Sequence, residues 1–200
     1  HALIGNHEAM NLTGDWRYVH PGDIAAFGGA DARREALALD GDYGAWLAAQ
    51  PAVAKIAGTI FVHGGVSPGA ASLGVDGLNA GLASSLREQA GTPLAEQILG
   101  PDGPLWYRGY VLEEPASACP ALRSALDALG ASRMVVGHTT RRDGRIQSRC
   151  GGQLHVIDTG IAKGYGGHLA AWELRGADAW ALYPDGPVDL EDPVLGEDPA

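Results

Sequence analysis

Three short apolar runs in this chain each end in a cluster of glycine and histidine, and that pattern constrains the fold more than any other. Ala2-Leu3-Ile4 reaches Gly5-Asn6-His7-Glu8, Ile60-Phe61-Val62 reaches His63-Gly64-Gly65, and Met134-Val135-Val136 reaches Gly137-His138-Thr139. Short apolar runs of this kind, closed by glycine, predict buried strands. In open α/β sheets ligands sit beyond the carboxyl ends of the strands, so three polar strand ends predict one shared crevice. Glycine beside each histidine lets the backbone turn sharply there.

The remaining chain reads as helices followed by strands. Apolar spacing predicts helices over 8–19, 31–39 and 42–50, over 77–99 in two pieces split by Gly91-Thr92-Pro93, and over 120–129 closed by Gly130. Strands are predicted over 59–62, 133–136, 145–148, 154–157, 168–174 and 179–183. This order predicts an α/β sandwich with an antiparallel-rich C-terminal half. Residues 1–183 read as one domain, and 184–200 as an acidic Pro/Gly-rich tail with no packing pattern.

Composition narrows the partners. A formal charge of −10 argues against a nucleic-acid surface, which needs a basic face. No apolar run approaches the ~20 residues of a membrane span. Cys119 and Cys150 are too few for a disulfide scaffold and lack zinc-site spacing. They form either one disulfide in an oxidising compartment or two ordinary buried thiols, and the compartment stays open between periplasm and cytoplasm.

Imidazole nitrogen and amide oxygen are ligands for borderline first-row ions, so His63, His138 and Asn6 read as a metal-binding set. A single histidine is more often structural; three at matching strand ends argue together for a site. His20, His155 and His168 lack that placement and read as surface residues. All three candidate ligands are neutral, so the set resembles half of a site lacking a carboxylate. Asp158, also at a strand end, is the local candidate for that charge.

Taken in order, Gly5-Asn6-His7-Glu8, His63-Gly64-Gly65 and Gly137-His138-Thr139 resemble the last three motifs of the calcineurin-like metallophosphoesterases. Within them the chain is similar to the phosphoprotein phosphatases. Gly5-Asn6-His7-Glu8-Ala9-Met10-Asn11-Leu12 with Trp16-Arg17-Tyr18 is similar to the bacterial-type, Shewanella-like branch. Trp106-Tyr107-Arg108-Gly109-Tyr110 and Ile157-Asp158-Thr159-Gly160 add to the likeness, which covers roughly residues 1–175. The family's first two motifs, Asp-x-His and Gly-Asp-x-x-Asp-Arg-Gly, do not occur in these residues. The chain is therefore expected to be a phosphatase domain cut inside its third strand.

The resemblance implies a sandwich of two mixed sheets flanked by helices, here lacking its N-terminal strands. It implies a phosphoric monoester hydrolase with two divalent ions (Mn, Fe or Zn) and a metal-activated hydroxide, acting on a phosphorylated protein or a small phosphomonoester. Asn6, His63 and His138 would hold one ion, His7 would protonate the leaving alkoxide, and Arg108 would clamp phosphate oxygens. The other reading of Arg108 is a cation–π stack on Trp106 or Tyr107; the planar guanidinium fork favours the clamp. The resemblance makes Asp158 structural and leaves it outside the ligands, and Glu8 is expected to position the loop backbone. Two alternatives stand: a phosphodiesterase or nucleotidase on the same fold, or a catalytically dead phospho-binding fragment.

Overall fold

The computed structural model describes residues 1–88 and 91–190. Its first half holds helices α1 (Asn6–Leu12), α2 (Pro21–Ala26), α3 (Ala30–Ala36) and α4 (Gly44–Ala48). Strands β1 (Val53–Ile56) and β2 (Thr59–Val62) follow, then helices α5 (Pro68–Ala71), α6 (Gly74–Glu88), α7 (Pro93–Leu99), α8 (Gly109–Leu112) and α9 (Pro115–Leu129). The C-terminal part is β3 (Arg133–Val136), β4 (Gln147–Arg149), β5 (Leu154–Val156), β6 (Ala171–Arg175), β7 (Asp178–Tyr183) and β8 (Gly186–Asp189).

A five-stranded mixed sheet runs in the order β1-β2-β3-β5-β4, with β2, β3 and β5 parallel. Those central strands are apolar on both faces: Ile60, Val62, Met134, Val135, Val136, Leu154 and Val156 are all buried. Register carries the functional consequence. Val62 pairs with Val136, and Val136 with Val156, so the three parallel strands end level. The Gly137 amide donates to the His63 carbonyl (3.0 Å), and the Ile157 amide to that of Val136 (2.8 Å), continuing the ladder past the strand ends. Residues 63, 138 and 158 therefore leave the sheet along one rim.

Helix α9 covers this sheet with Leu122, Ala125, Leu126 and Leu129, spaced i, i+3, i+4 and i+7 on one buried stripe. Proline at its first position suits a site that needs no amide donor, and Gly130 ends it in the left-handed region at φ 59°. A second, three-stranded antiparallel sheet, β6-β7-β8, packs against the first through Trp172, whose ring meets Phe61 at 5.6 Å and His155 at 5.7 Å. Cys119 in α9 and Cys150 just after β4 form a disulfide with Cα atoms 5.3 Å apart, which decides between the two readings of the cysteines. No helix of the described residues is long and apolar enough to cross a membrane.

Several expectations are corrected. Residues 2–4 are not a strand: the Ile4 amide donates to the Pro51 carbonyl at 3.1 Å, but no ladder forms. The helix expected over 8–19 stops at Leu12, where the chain turns at Gly14 with φ 81°. The second sheet is antiparallel among the described residues, not mixed. The stretch expected to lack packing begins with β8 on the edge of that sheet, and Leu190 is buried; residues 191–200 lie outside the described part. His155 is no surface residue. It sits in β5, between β3 and β4, with 0% of its surface exposed.

Candidate functional site

Asn6 opens α1, immediately after the extended Gly5. The Gly5 amide donates to Glu8 Oε2 at 3.0 Å, so the Glu8 carboxylate folds back to hold the loop backbone. A Cβ on Gly5 would stand 2.5 Å from Glu8 Oε2 and 3.1 Å from the His63 ring. A larger residue would push the Glu8 carboxylate off the Gly5 amide and crowd the His63 ring. Strand β2 delivers His63, and Gly64 lets the following loop dock: its amide donates to the Pro104 carbonyl (2.8 Å), where a Cβ would lie 2.8 Å from the Trp106 amide. Strand β3 delivers His138, a non-glycine residue at φ 62°. Such a conformation costs energy and is concentrated at functional sites.

The three side chains converge. Asn6 Oδ1 lies 2.7 Å from His63 Nε2, which lies 3.1 Å from His138 Nδ1. Burial pushes the His138 imidazole down to about 4, helped by the Arg108 charge, and burial also lowers His63. Both rings are neutral at pH 7, with lone pairs available. Trp106 packs edge-on against His138 at 5.4 Å, and His138 Nε2 is buried without a hydrogen-bond partner.

His7 is exposed beside this trio, its ring stacked on Tyr18. Arg108 is half-buried at the start of α8, and its side chain has no carboxylate or hydrogen-bond partner among the described residues. The cation–π alternative is not formed: Trp106 turns to His138 and Tyr107 to Tyr110. A cleft of about 1050 Å³ is lined by Asn6, His7, His63, Arg108 and His138 together. Beside it, a groove of about 760 Å³ shares Asn6, Tyr18, Trp106 and Arg108.

Asp158 borders the same cleft, but both its oxygens are engaged. Oδ2 accepts from Thr140 Oγ1 and Oδ1 from the Gly160 amide, each at 3.0 Å, which fastens the loop after β5. No group of three or more His, Cys, Asp or Glu able to hold a metal occurs among the described residues. The cluster remains two imidazoles and an amide. Sequence reasoning assigned no role to Tyr18, which belongs to an irregular segment where no spacing rule applies.

No protein-family profile matches the chain. An uncharacterized protein of Schizosaccharomyces pombe is 35% identical over 186 residues, covering 88% of this chain and 55% of that protein. Shewanella-like protein phosphatase 1 of Plasmodium berghei is 31% identical over 171 residues, covering 80% and 47%. Shewanella-like protein phosphatase 2 of Arabidopsis thaliana is 28% identical over 209 residues, covering 81% and 53%. The chain thus spans about half the length of the curated relatives it matches. Among solved structures, the cold-active protein-tyrosine phosphatase of a psychrophilic Shewanella superposes with a TM-score of 0.81 at 28% identity, covering 95% of this chain and 58% of that one. A point mutant of a cold-active protein tyrosine phosphatase gives 0.82 at 27%, with the same coverage.

Fold and named relatives together put the likeness of this chain among protein phosphatases. More narrowly, the chain is similar to about half the length of the Shewanella-like protein phosphatases it matches.

Proposed function

We propose that the protein is a metal-dependent phosphoric monoester hydrolase of the calcineurin-like kind, acting on phosphorylated proteins. The observation that carries this reading is the meeting of Asn6 Oδ1, His63 Nε2 and His138 Nδ1 within 3.1 Å steps, in a cleft shared with His7 and Arg108. An amide oxygen and two neutral imidazole nitrogens suit borderline divalent ions, and the spacings seen, 2.7 and 3.1 Å, are short enough for neighbouring donors to share one. The set therefore fits one divalent ion such as Mn, Fe or Zn; a second ion would need carboxylate ligands that the trio does not include. An ion held there would polarise phosphate oxygens and acidify water.

The chain's own residues divide the remaining work. Arg108, unpartnered and facing the cleft, offers a planar five-donor fork to phosphate oxygens. His7 donates a proton to the leaving alkoxide, as a general acid must once the ester bond breaks. Glu8 and Gly5 fix the first turn of α1, so Asn6 and His7 hold their places.

The test compares turnover of a phosphopeptide, p-nitrophenyl phosphate and bis(p-nitrophenyl) phosphate by the protein with Mn²⁺ added. Metal-dependent turnover of the two monoesters supports the reading, and phosphoserine, phosphothreonine and phosphotyrosine peptides then rank the residue preference. Preferred turnover of the bis ester makes it a phosphodiesterase. Binding of phosphopeptides without turnover makes it a phospho-binding module.

A further inference from the structure

The ring of His7 is exposed, and no hydrogen bond to it is formed among the described residues. A side chain so placed would divide its time among three staggered χ1 wells. It meets Tyr18 instead, with ring centroids 5.1 Å apart and planes 18° from parallel. That is within the range of an attractive stacked aromatic pair.

Tyr18 is held where it stands. The Asp15 amide donates to the Met10 carbonyl at 2.8 Å, and the Asp15 carboxylate takes Arg17 Nε at 3.0 Å and Nη2 at 2.7 Å. Between Asp15 and Arg17, the Trp16 ring lies under the guanidinium groups of Arg33 (4.9 Å) and Arg34 (5.4 Å). Arg33 is only 4% exposed; its Nε donates to Asp23 Oδ2 and its Nη2 to Asn11 Oδ1, each at 2.8 Å. The Asn11 side-chain amide in turn donates to the His7 carbonyl at 2.8 Å. One buried arginine thus ties down both the backbone that carries His7 and the segment that carries Tyr18.

We propose that Tyr18 is a positioning residue for His7: its ring selects one imidazole orientation at the mouth of the cleft, and Arg33, through Trp16, sets where Tyr18 stands. The catalytic part rests on His7 being the proton donor proposed above; the stack itself does not.

Two variants test it, and because Tyr18 is 60% exposed neither disturbs the core. Tyr18→Leu removes the ring, whereas Tyr18→Phe keeps it. By NMR of the chain, the His7 ring protons, shielded by the Tyr18 ring current, move downfield in Tyr18→Leu and stay put in Tyr18→Phe. In steady-state kinetics, kcat on p-nitrophenyl phosphate falls about three- to tenfold in Tyr18→Leu, as the freed ring spreads over other rotamer wells, while KM stays within about twofold. Tyr18→Phe restores kcat. Unmoved His7 protons in Tyr18→Leu overturn the proposal, as does an unchanged kcat once those protons have moved. A raised KM at constant kcat overturns it too, marking Tyr18 as a substrate contact. His7→Ala as active as wild type would instead remove the general acid while the NMR shifts in the Tyr18 variants still report the stack, so the two failures are distinguishable.

Discussion

His63 Nε2 lies 3.1 Å from His138 Nδ1, although 75 residues separate them. The parallel pairing of β2 with β3 brings them together, because Val62 and Val136 are partners and each histidine follows its strand end. Asn6 Oδ1 closes on the same point from the start of α1. Sheet register does here what no local sequence feature can: it turns two distant Gly-His clusters into one pair of converging lone pairs.

If His7 donates the proton to the leaving group, His7→Ala lowers kcat by about 10²–10⁴, the usual share of a general acid. Steady-state kinetics with a phosphomonoester check this. A loss below about threefold takes His7 out of the role.

Arg108 has no partner among the described residues, so its donors are free for an anion. Arg108→Ala should lower kcat/KM for a phosphomonoester about 10- to 100-fold, the loss expected for hydrogen bonds to a charged group. Arg108→Lys should fall between, since a point charge lacks the bidentate fork. Equal kcat/KM in all three proteins would show that Arg108 does not touch phosphate.

His155 supplies a pH dependence of stability. Burial, with Arg133 nearby, holds its imidazole at about 4 in the fold, against about 6.5 in an unfolded chain. Between those values the unfolded chain carries the extra proton, so acidification favours unfolding. Stability from this group is complete above pH 6.5 and is lost as pH falls toward 4, by roughly 3 kcal/mol. Urea unfolding of the metal-free chain over that window should show a shallower loss in His155→Gln than in wild type. Parallel slopes would mean His155 is not buried as described.

The disulfide closes a loop across a sequence separation of 31. On the chain-entropy account such a loop stabilises the fold by about 3–4 kcal/mol. The double variant Cys119→Ser, Cys150→Ser should therefore unfold at clearly lower denaturant, with a steeper slope because the unfolded chain is no longer cross-linked. An unchanged midpoint would show that the cysteines are not bonded in solution.

Much of the site was legible because its residues stand at the ends of apolar strands. Ile60-Phe61-Val62 and Met134-Val135-Val136 can be read as buried strands, and the carboxyl-end rule then puts His63 and His138 in one crevice. Asn6 reaches the crevice from the start of α1 and not from a strand end, since Ala2-Leu3-Ile4 packs without forming a ladder. An apolar run shows burial but not which backbone groups find partners. The strand over 154–157 is legible around His155, but the burial of its imidazole is not, because the face it occupies is covered by Trp172 of the second sheet, a contact only the assembled fold supplies. Strand β8 was hidden by its acidic and proline-containing composition, which an edge strand tolerates. Tyr18 depends on Arg33 reaching Trp16 across α2, a contact that only the assembled fold supplies.

The central claim, that Asn6, His63 and His138 form one metal seat, is tested most directly by anomalous diffraction from crystals soaked in Zn²⁺. A peak about 2.0–2.2 Å from Asn6 Oδ1, His63 Nε2 and His138 Nδ1 is the predicted result. Diffraction showing zinc bound elsewhere, or none between those three atoms at saturating concentration, would contradict it.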